Sequence, residues 1–152
     1  MDKVWNGKGK EYYNNGELKY EGDYLNGERW NGKVFNNNCI IEFYLKNGNG
    51  KGKEYNDDGK LAFEGEFLNG KAWNGKGKEY YDDGELAFEG DYLNGKRHGK
   101  GKEYNYYNGK LEYEGEYLNG ERHGKGKEYN IDKGKFLGEF KNFKNGKELG
   151  MI

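Results

Sequence analysis

Tyr113-Glu114-Gly115-Glu116-Tyr117-Leu118-Asn119-Gly120-Glu121-Arg122-His123-Gly124-Lys125-Gly126 decides the fold, because nearly the whole chain is this segment rewritten. Its first half, aromatic-Glu-Gly-acid-aromatic-Leu-Asn-Gly, begins also at Tyr20, Phe63 and Phe88. Its second half carries Gly-Lys-Gly-Lys-Glu-Tyr, which begins at Gly7, Gly50, Gly75, Gly99 and Gly124, with a degenerate copy at Gly32-Lys33-Val34-Phe35. Self-similarity at a fixed period is the mark of a repeat architecture. Gly65, Gly90 and Gly115 stand 25 residues apart, whereas 43 separate Gly22 from Gly65, so the second unit has lost residues. The repeats fall at about 5–16, 17–41, 42–60, 61–85, 86–109 and 110–134, with a partial repeat or cap at 135–152, all in a single domain spanning 1–152.

Each repeat holds two turn signals. One is Asn-Gly after Leu, at Asn26-Gly27, Asn69-Gly70, Asn94-Gly95 and Asn119-Gly120; the other is a polar cluster ending at Gly16, Gly59, Gly84 or Gly109. Asn-Gly suits a type I′ hairpin turn, which needs positive φ at both central residues. About seven residues lie between turns, too few for helices and enough for strands joined antiparallel. The sequence therefore predicts an all-β protein: an antiparallel β-meander of about twelve strands, one hairpin in each of about six repeats.

A two-residue loop at Asn119-Gly120 sets Leu118 opposite Glu121, and carrying that register along the strands sets Tyr113 opposite Gly126 and Gly115 opposite Gly124. Alternation then places Leu111, Tyr113, Gly115 and Tyr117 on one face, with rings lying over bare glycine backbone. The other face receives Glu112 against Lys127, Glu114 against Lys125 and Glu116 against His123, pairs that contribute roughly 0.2–1 kcal/mol each. Repeats containing Arg29-Trp30-Asn31-Gly32 or Ala72-Trp73-Asn74-Gly75 carry one extra residue after the turn, which predicts a bulge there.

Composition removes several chemistries. The chain has 152 residues, formal net charge −1, and no Ser, Thr, Gln or Pro. Without Ser or Thr there is no serine nucleophile and no phosphate-loop Lys-Ser/Thr pair. Leu, Ile, Val and Phe number only 25, but 15 Tyr and 3 Trp supply the missing apolar area. The near-neutral charge gives no global pull toward nucleic acid, and no apolar run approaches the roughly 20 residues of a membrane span. The single Cys39 excludes an internal disulfide and, beside Ile40-Ile41, reads as a buried small hydrophobe. The expected location is cytoplasmic, at most peripheral to membrane or cytoskeleton.

The repeated Tyr-x-Gly-x-aromatic, Asn-Gly and His-Gly-x-Gly slots resemble the MORN (membrane occupation and recognition nexus) repeat, over roughly residues 5–148. The continuation Glu79-Tyr80-Tyr81-Asp82-Asp83-Gly84-Glu85-Leu86 is similar to the MORN variant of bacterial YwqK-type antitoxin proteins. The second unit departs from the pattern, with Asn36-Asn37-Asn38-Cys39-Ile40-Ile41-Glu42-Phe43 where turn, Leu and Glu-Gly should stand. The resemblance implies an elongated, single-layer antiparallel sheet of stacked hairpin repeats twisted into a trough and used in scaffolding or membrane tethering, with phospholipid binding attributed to some members. No catalytic residue comes with the motif.

Candidate chemistry mostly dissolves into the repeat. Glu21, Glu64, Glu89 and Glu114 share one slot facing Lys, as cross-strand pairs do, so they do not read as a glycosidase pair. Asp57-Asp58-Gly59 and Asp82-Asp83-Gly84 are turn chemistry without calcium-loop spacing. His98 and His123, two strands apart, are too distant to share one zinc. The reading is no enzyme, no cofactor and no metal. Partner binding is expected along an aromatic-lined groove of Tyr20, Tyr24, Phe63, Phe67, Phe88, Tyr92, Tyr113 and Tyr117. Two other functional readings stand beside it. An anionic phospholipid surface would meet the Lys rows Lys76, Lys78, Lys100, Lys102, Lys125 and Lys127. An antitoxin or immunity role follows from the YwqK-type resemblance alone. Phe136, Phe140 and Phe143 mark an expected dimer edge, and specific nucleic-acid recognition is not expected.

Overall fold

The computed structural model describes the backbone of residues 5–132 and 135–151, and the side chains of these except 131–137 and 151. It is an antiparallel β-meander of consecutive hairpins, all-β as the repeat predicts. Among the described residues there are thirteen strands: β1 (Gly7–Tyr12), β2 (Leu18–Leu25), β3 (Glu28–Phe35), β4 (Ile41–Leu45), β5 (Gly50–Tyr55), β6 (Leu61–Leu68), β7 (Lys71–Tyr80), β8 (Leu86–Leu93), β9 (Lys96–Tyr104), β10 (Leu111–Leu118), β11 (Glu121–Asp132), β12 (Lys135–Lys144) and β13 (Lys147–Met151). Strand order follows chain order, β1 to β4 in one ladder and β5 to β13 in the other. Two compact units divide within β7, residues 1–75 and 76–152. Among the described residues no helix is long and apolar enough to cross a membrane.

The Asn-Gly signals do what their chemistry dictates. Asn26, Asn69, Asn94 and Asn119 hold φ of 50–53° and the glycine after each is also left-handed, as a type I′ turn demands. The same turn forms at Asn47-Gly48 and Asn145-Gly146. Five of these turns also reach the preceding repeat. Gly27 N–H donates to the Trp5 carbonyl, Gly48 to Trp30 and Gly70 to Gly48, all at 2.8 Å; Gly120 donates to Arg97 and Gly146 to Arg122 at 2.9 Å.

The degenerate second unit keeps this backbone. Asn36 to Ile40 form a turn in which Asn36 N–H donates to the Ile40 carbonyl at 2.8 Å, as Asn56 N–H does to Lys60 in the next one. The Asn36 side-chain oxygen caps the Asn38 and Ile40 N–H groups, as Asn56 caps Asp58 and Lys60. Cys39 therefore occupies the slot held elsewhere by Gly16, Gly59 and Gly84, at φ 62°. This corrects the expectation of a buried thiol: Cys39 is exposed, because the turn position rather than the neighbouring Ile40-Ile41 sets its environment.

The register differs from expectation away from the turns. Leu118 pairs with Glu121 and Tyr117 with Arg122, but Gly115 pairs with Gly126, Glu114 with Lys127 and Tyr113 with Glu128. Between these pairs Glu116 alone faces His123-Gly124-Lys125. The cause is local: Gly124 turns to φ +64°, and the Glu116 carboxylate accepts the Lys125 N–H at 2.8 Å. The β8–β9 hairpin repeats the arrangement, with Gly99 at φ +67° and Asp91 accepting the Lys100 N–H at 3.2 Å. In the Trp-containing β2–β3 hairpin only Asp23 faces two residues, Trp30-Asn31. The bulge expected there exists, yet the His-Gly repeats carry the larger one.

The shift leaves rings over bare backbone. A Cβ added at Gly126 would enter the Tyr113 ring, and one at Gly101 would stand 2.7 Å from Phe88. Over Gly52 it would stand 2.5 Å from Phe43. Two glycine exchanges should have opposite signs. Gly126→Ala should lower unfolding free energy by about 1–3 kcal/mol through overpacking. Cys39→Gly should raise it by about 1 kcal/mol by relieving a left-handed non-glycine residue. Urea denaturation of each variant against wild type measures both.

Candidate partner-binding face

The eight rings expected to line a groove are mostly interior. Tyr20, Phe88 and Tyr113 are fully buried, and Phe63, Phe67 and Tyr117 are 4% exposed. Tyr24 and Tyr92 stay half-buried at the margin. In unit 76–152 the rings meet edge to face in a chain: Tyr92–Phe88 at 6.1 Å, Phe88–Tyr117 at 5.2 Å, Tyr117–Tyr113 at 5.6 Å and Tyr113–Phe143 at 5.2 Å. In unit 1–75 Tyr20 meets Tyr24, while Phe67 contacts both Phe63 and Phe43. Such edge-to-face pairs add about 0.5–1.5 kcal/mol beyond area burial.

What covers these rings is a set of charges that the sequence reading passed over. Arg97 lies 3.9 Å from the Phe88 ring centre, Arg122 4.1 Å from Tyr113, and Arg29 5.0 Å from Tyr20. Each guanidinium is then held by carboxylates. In unit 1–75 Arg29 binds Glu11 at 2.7 Å and Glu54 at 2.6 Å. In unit 76–152 the pairs run Glu79–Arg97 at 2.7 Å, Arg97–Glu103 at 3.5 Å, then Glu103–Arg122, Arg122–Glu128 at 3.1 Å, Glu128–Lys141 at 3.0 Å and Lys141–Glu148 at 3.1 Å. A sequence signal existed. The chain has only three Arg against 23 Lys, and all three stand two residues after an Asn-Gly. A planar guanidinium can stack on a ring and grip a carboxylate at once, which an ammonium cannot.

The marginal tyrosines belong to the same network. Tyr92 donates to Glu79 at 2.7 Å and Tyr24 to Glu11 at 2.6 Å. Burial alone would raise the Glu79 carboxyl, but hydrogen bonds from Arg97 and Tyr92 outweigh it and hold it below the ordinary carboxylate value. Glu11 is lowered in the same way against its own burial, by Arg29 and Tyr24. Burial pushes Tyr113 up to about 12. At Cys39 the hydrogen bond to Glu17 raises the thiol, which opposes thiolate chemistry there.

The Lys rows occupy the opposite strand face, alternating with the ring-face residues. They sit among carboxylates: Lys76 on Asp91 at 2.9 Å, Lys78 on Glu89 at 3.9 Å and Lys100 on Glu116 at 3.6 Å. Lys102 stands opposite Glu89 and Glu114 in the ladder, and Lys127 opposite Glu114, with its Nζ 5.2 Å from the Tyr129 and Phe140 ring centres. Lys125 is exposed. Of the expected dimer edge, Phe143 is 4% exposed: it packs on Tyr113, and the Arg122 guanidinium lies 5.5 Å from its ring centre. Phe140 is 58% exposed, and Phe136 lies outside the described side chains.

Asn-Gly hairpins stacked in series, with rings over glycine floors, define the class as a β-hairpin repeat protein. The family model of the MORN repeat matches residues 88–110 and 113–135, and that of the MORN repeat variant matches 5–26, 48–69 and 73–94. Together they span more than half of the chain, which therefore belongs to the MORN-repeat family. Residues 27–47, between two matches, hold the same hairpin turns in divergent sequence. No curated protein matches the chain.

Two outcomes follow from the charge network. Arg122→Ala should cost about 1–3 kcal/mol, since it strips charged hydrogen bonds from Glu103 and Glu128 and uncovers Tyr113. Arg122→Lys should recover only part of the loss; denaturation curves measure both. Glu11 and Glu79 are depressed in the folded state, so the unfolded chain binds more protons as pH falls. Their contribution is present above the unfolded value of about 4.5 and is lost as pH drops through the folded one. Urea midpoints should therefore fall below pH 4.5, with a shallower fall in Glu79→Gln.

Proposed function

We propose that the chain is a non-enzymatic repeat scaffold that holds a protein partner, or a second copy of itself, on its Arg-covered ring face. The carrying observation is the alternating carboxylate–guanidinium row of unit 76–152, laid over a packed aromatic floor. It presents charges at fixed intervals on strands that cannot slip without burying them wrongly. A partner meeting this face reads the charge sequence first, with Tyr92 as the accessible ring. Rigid arrays of stacked repeats commonly serve as extended binding surfaces. The repetition of each side chain in the same slot also speaks against an active site, whose residues would break the pattern.

The test compares capture of partners from the native source by wild type, Tyr92→Ala and Lys102→Ala, with circular dichroism confirming folding. Loss of partners in Tyr92→Ala alone is the expected result. Equal retention by Tyr92→Ala and wild type, or loss confined to Lys102→Ala, overturns the ring-face assignment. Light scattering of the same proteins reads whether the partner is a second copy.

A further inference from the structure

Asn-Gly occurs twelve times in this chain, at Asn6, Asn15, Asn26, Asn31, Asn47, Asn49, Asn69, Asn74, Asn94, Asn108, Asn119 and Asn145. This dipeptide undergoes spontaneous modification. The glycine nitrogen loses its proton to solvent base and attacks the Asn side-chain carbonyl carbon, an N–C bond forms, and the amide leaves as ammonia. Water then opens the five-membered succinimide at either carbonyl, giving aspartate or isoaspartate. The reaction needs a glycine nitrogen free of its hydrogen bond and an Asn free to rotate toward it.

The fold treats these sites unequally. At Asn26, Asn47, Asn69, Asn119 and Asn145 the following glycine N–H is committed to a carbonyl of the preceding repeat at 2.8–2.9 Å, and the Asn is fixed at φ 50–52°. Freeing that nitrogen means parting two repeats. Asn15 is anchored differently: its amide donates to the Asn37 carbonyl at 3.2 Å, and its neighbour Asn14 bonds Asp57 and Asp58 of a third turn. The loop from Asn105 to Lys110 closes on itself. Gly109 N–H donates to Asn105 at 2.9 Å, Asn108 N–H to the Asn105 side chain at 3.2 Å, and Lys110 N–H to the Asn108 side chain at 2.9 Å. Residues 106–110 are exposed, Tyr107 to 90%. Opening this loop breaks bonds within one turn, an event from the low-energy end of native fluctuations.

We propose that Asn108 deamidates spontaneously in the folded protein, and that the inter-repeat clamps protect Asn26, Asn47, Asn69, Asn119 and Asn145. The product matters locally. Asn108 lines a shallow polar cavity with Asn105, Lys110, Glu112, Tyr129 and Asn130. Aspartate or isoaspartate there adds one negative charge beside Lys110, at the base of the exposed Tyr106–Tyr107 pair.

The test incubates the full chain at mildly alkaline pH, native and in urea, and follows each Asn by peptide mapping with isoaspartate detection. Each site's native rate is divided by its own urea rate, which cancels intrinsic sequence effects. The ratio should stay near one at Asn108 and fall at least about tenfold at the five clamped sites. Asn108→Gln should abolish the first acidic charge variant of the native protein. The proposal is overturned if the Asn108 ratio falls as far as the clamped ones, or if the clamped sites convert as fast folded as unfolded.

Discussion

Aromatic rings resting on bare glycine backbone are the interaction on which this structure depends. Tyr113 lies over Gly126 and Phe88 over Gly101, so close that a single added methyl group would strike the ring. The ring excludes water from one side of the sheet and needs a lid on its own outer side. Arg97 and Arg122 supply that lid, and their charge requires Glu79, Glu103 and Glu128 in turn. Glycine slot, ring slot, arginine slot and glutamate slot thus form one chain of necessity. A chain poor in aliphatic residues can fold this way because each ring is sandwiched between backbone and guanidinium.

The legible part of this design was what single residues dictate. Asn-Gly forces a left-handed pair, so the turns were readable, and strand positions followed from the spacing between them. Rings over glycine were readable from alternation. The register beyond the bulge was not, because it depends on Gly124 turning to positive φ while Glu116 captures the Lys125 N–H, a decision made in three dimensions. Cys39 misled for a related reason: its neighbours Ile40 and Ile41 suggested an interior, whereas its turn position placed it outside. The arginines were hidden in plain composition, three residues given no role by the sequence although they are the roof of the core.

The candidate site was legible only as a list of rings. Six of the eight form the interior rather than the surface, and the groups a visitor meets are carboxylates and guanidiniums in alternation. A ring face roofed by ion pairs is selective in a way a greasy groove is not, since a mismatched charge pays desolvation without recompense. The Lys rows on the reverse face are interleaved with carboxylates, so that side too presents both signs.

The five Asn-Gly clamps between repeats run in one direction. At Gly27, Gly48, Gly70, Gly120 and Gly146 the donor belongs to the later turn and the acceptor to an earlier repeat, about one repeat back along the chain. During synthesis the acceptor emerges first, so each new hairpin meets a finished template as soon as it closes. Pairing partners stay near in sequence, which keeps the entropy of loop closure small for a β protein. Such an order lets each strand pair with a near neighbour in sequence as soon as both have emerged, like a zip drawn from its first tooth.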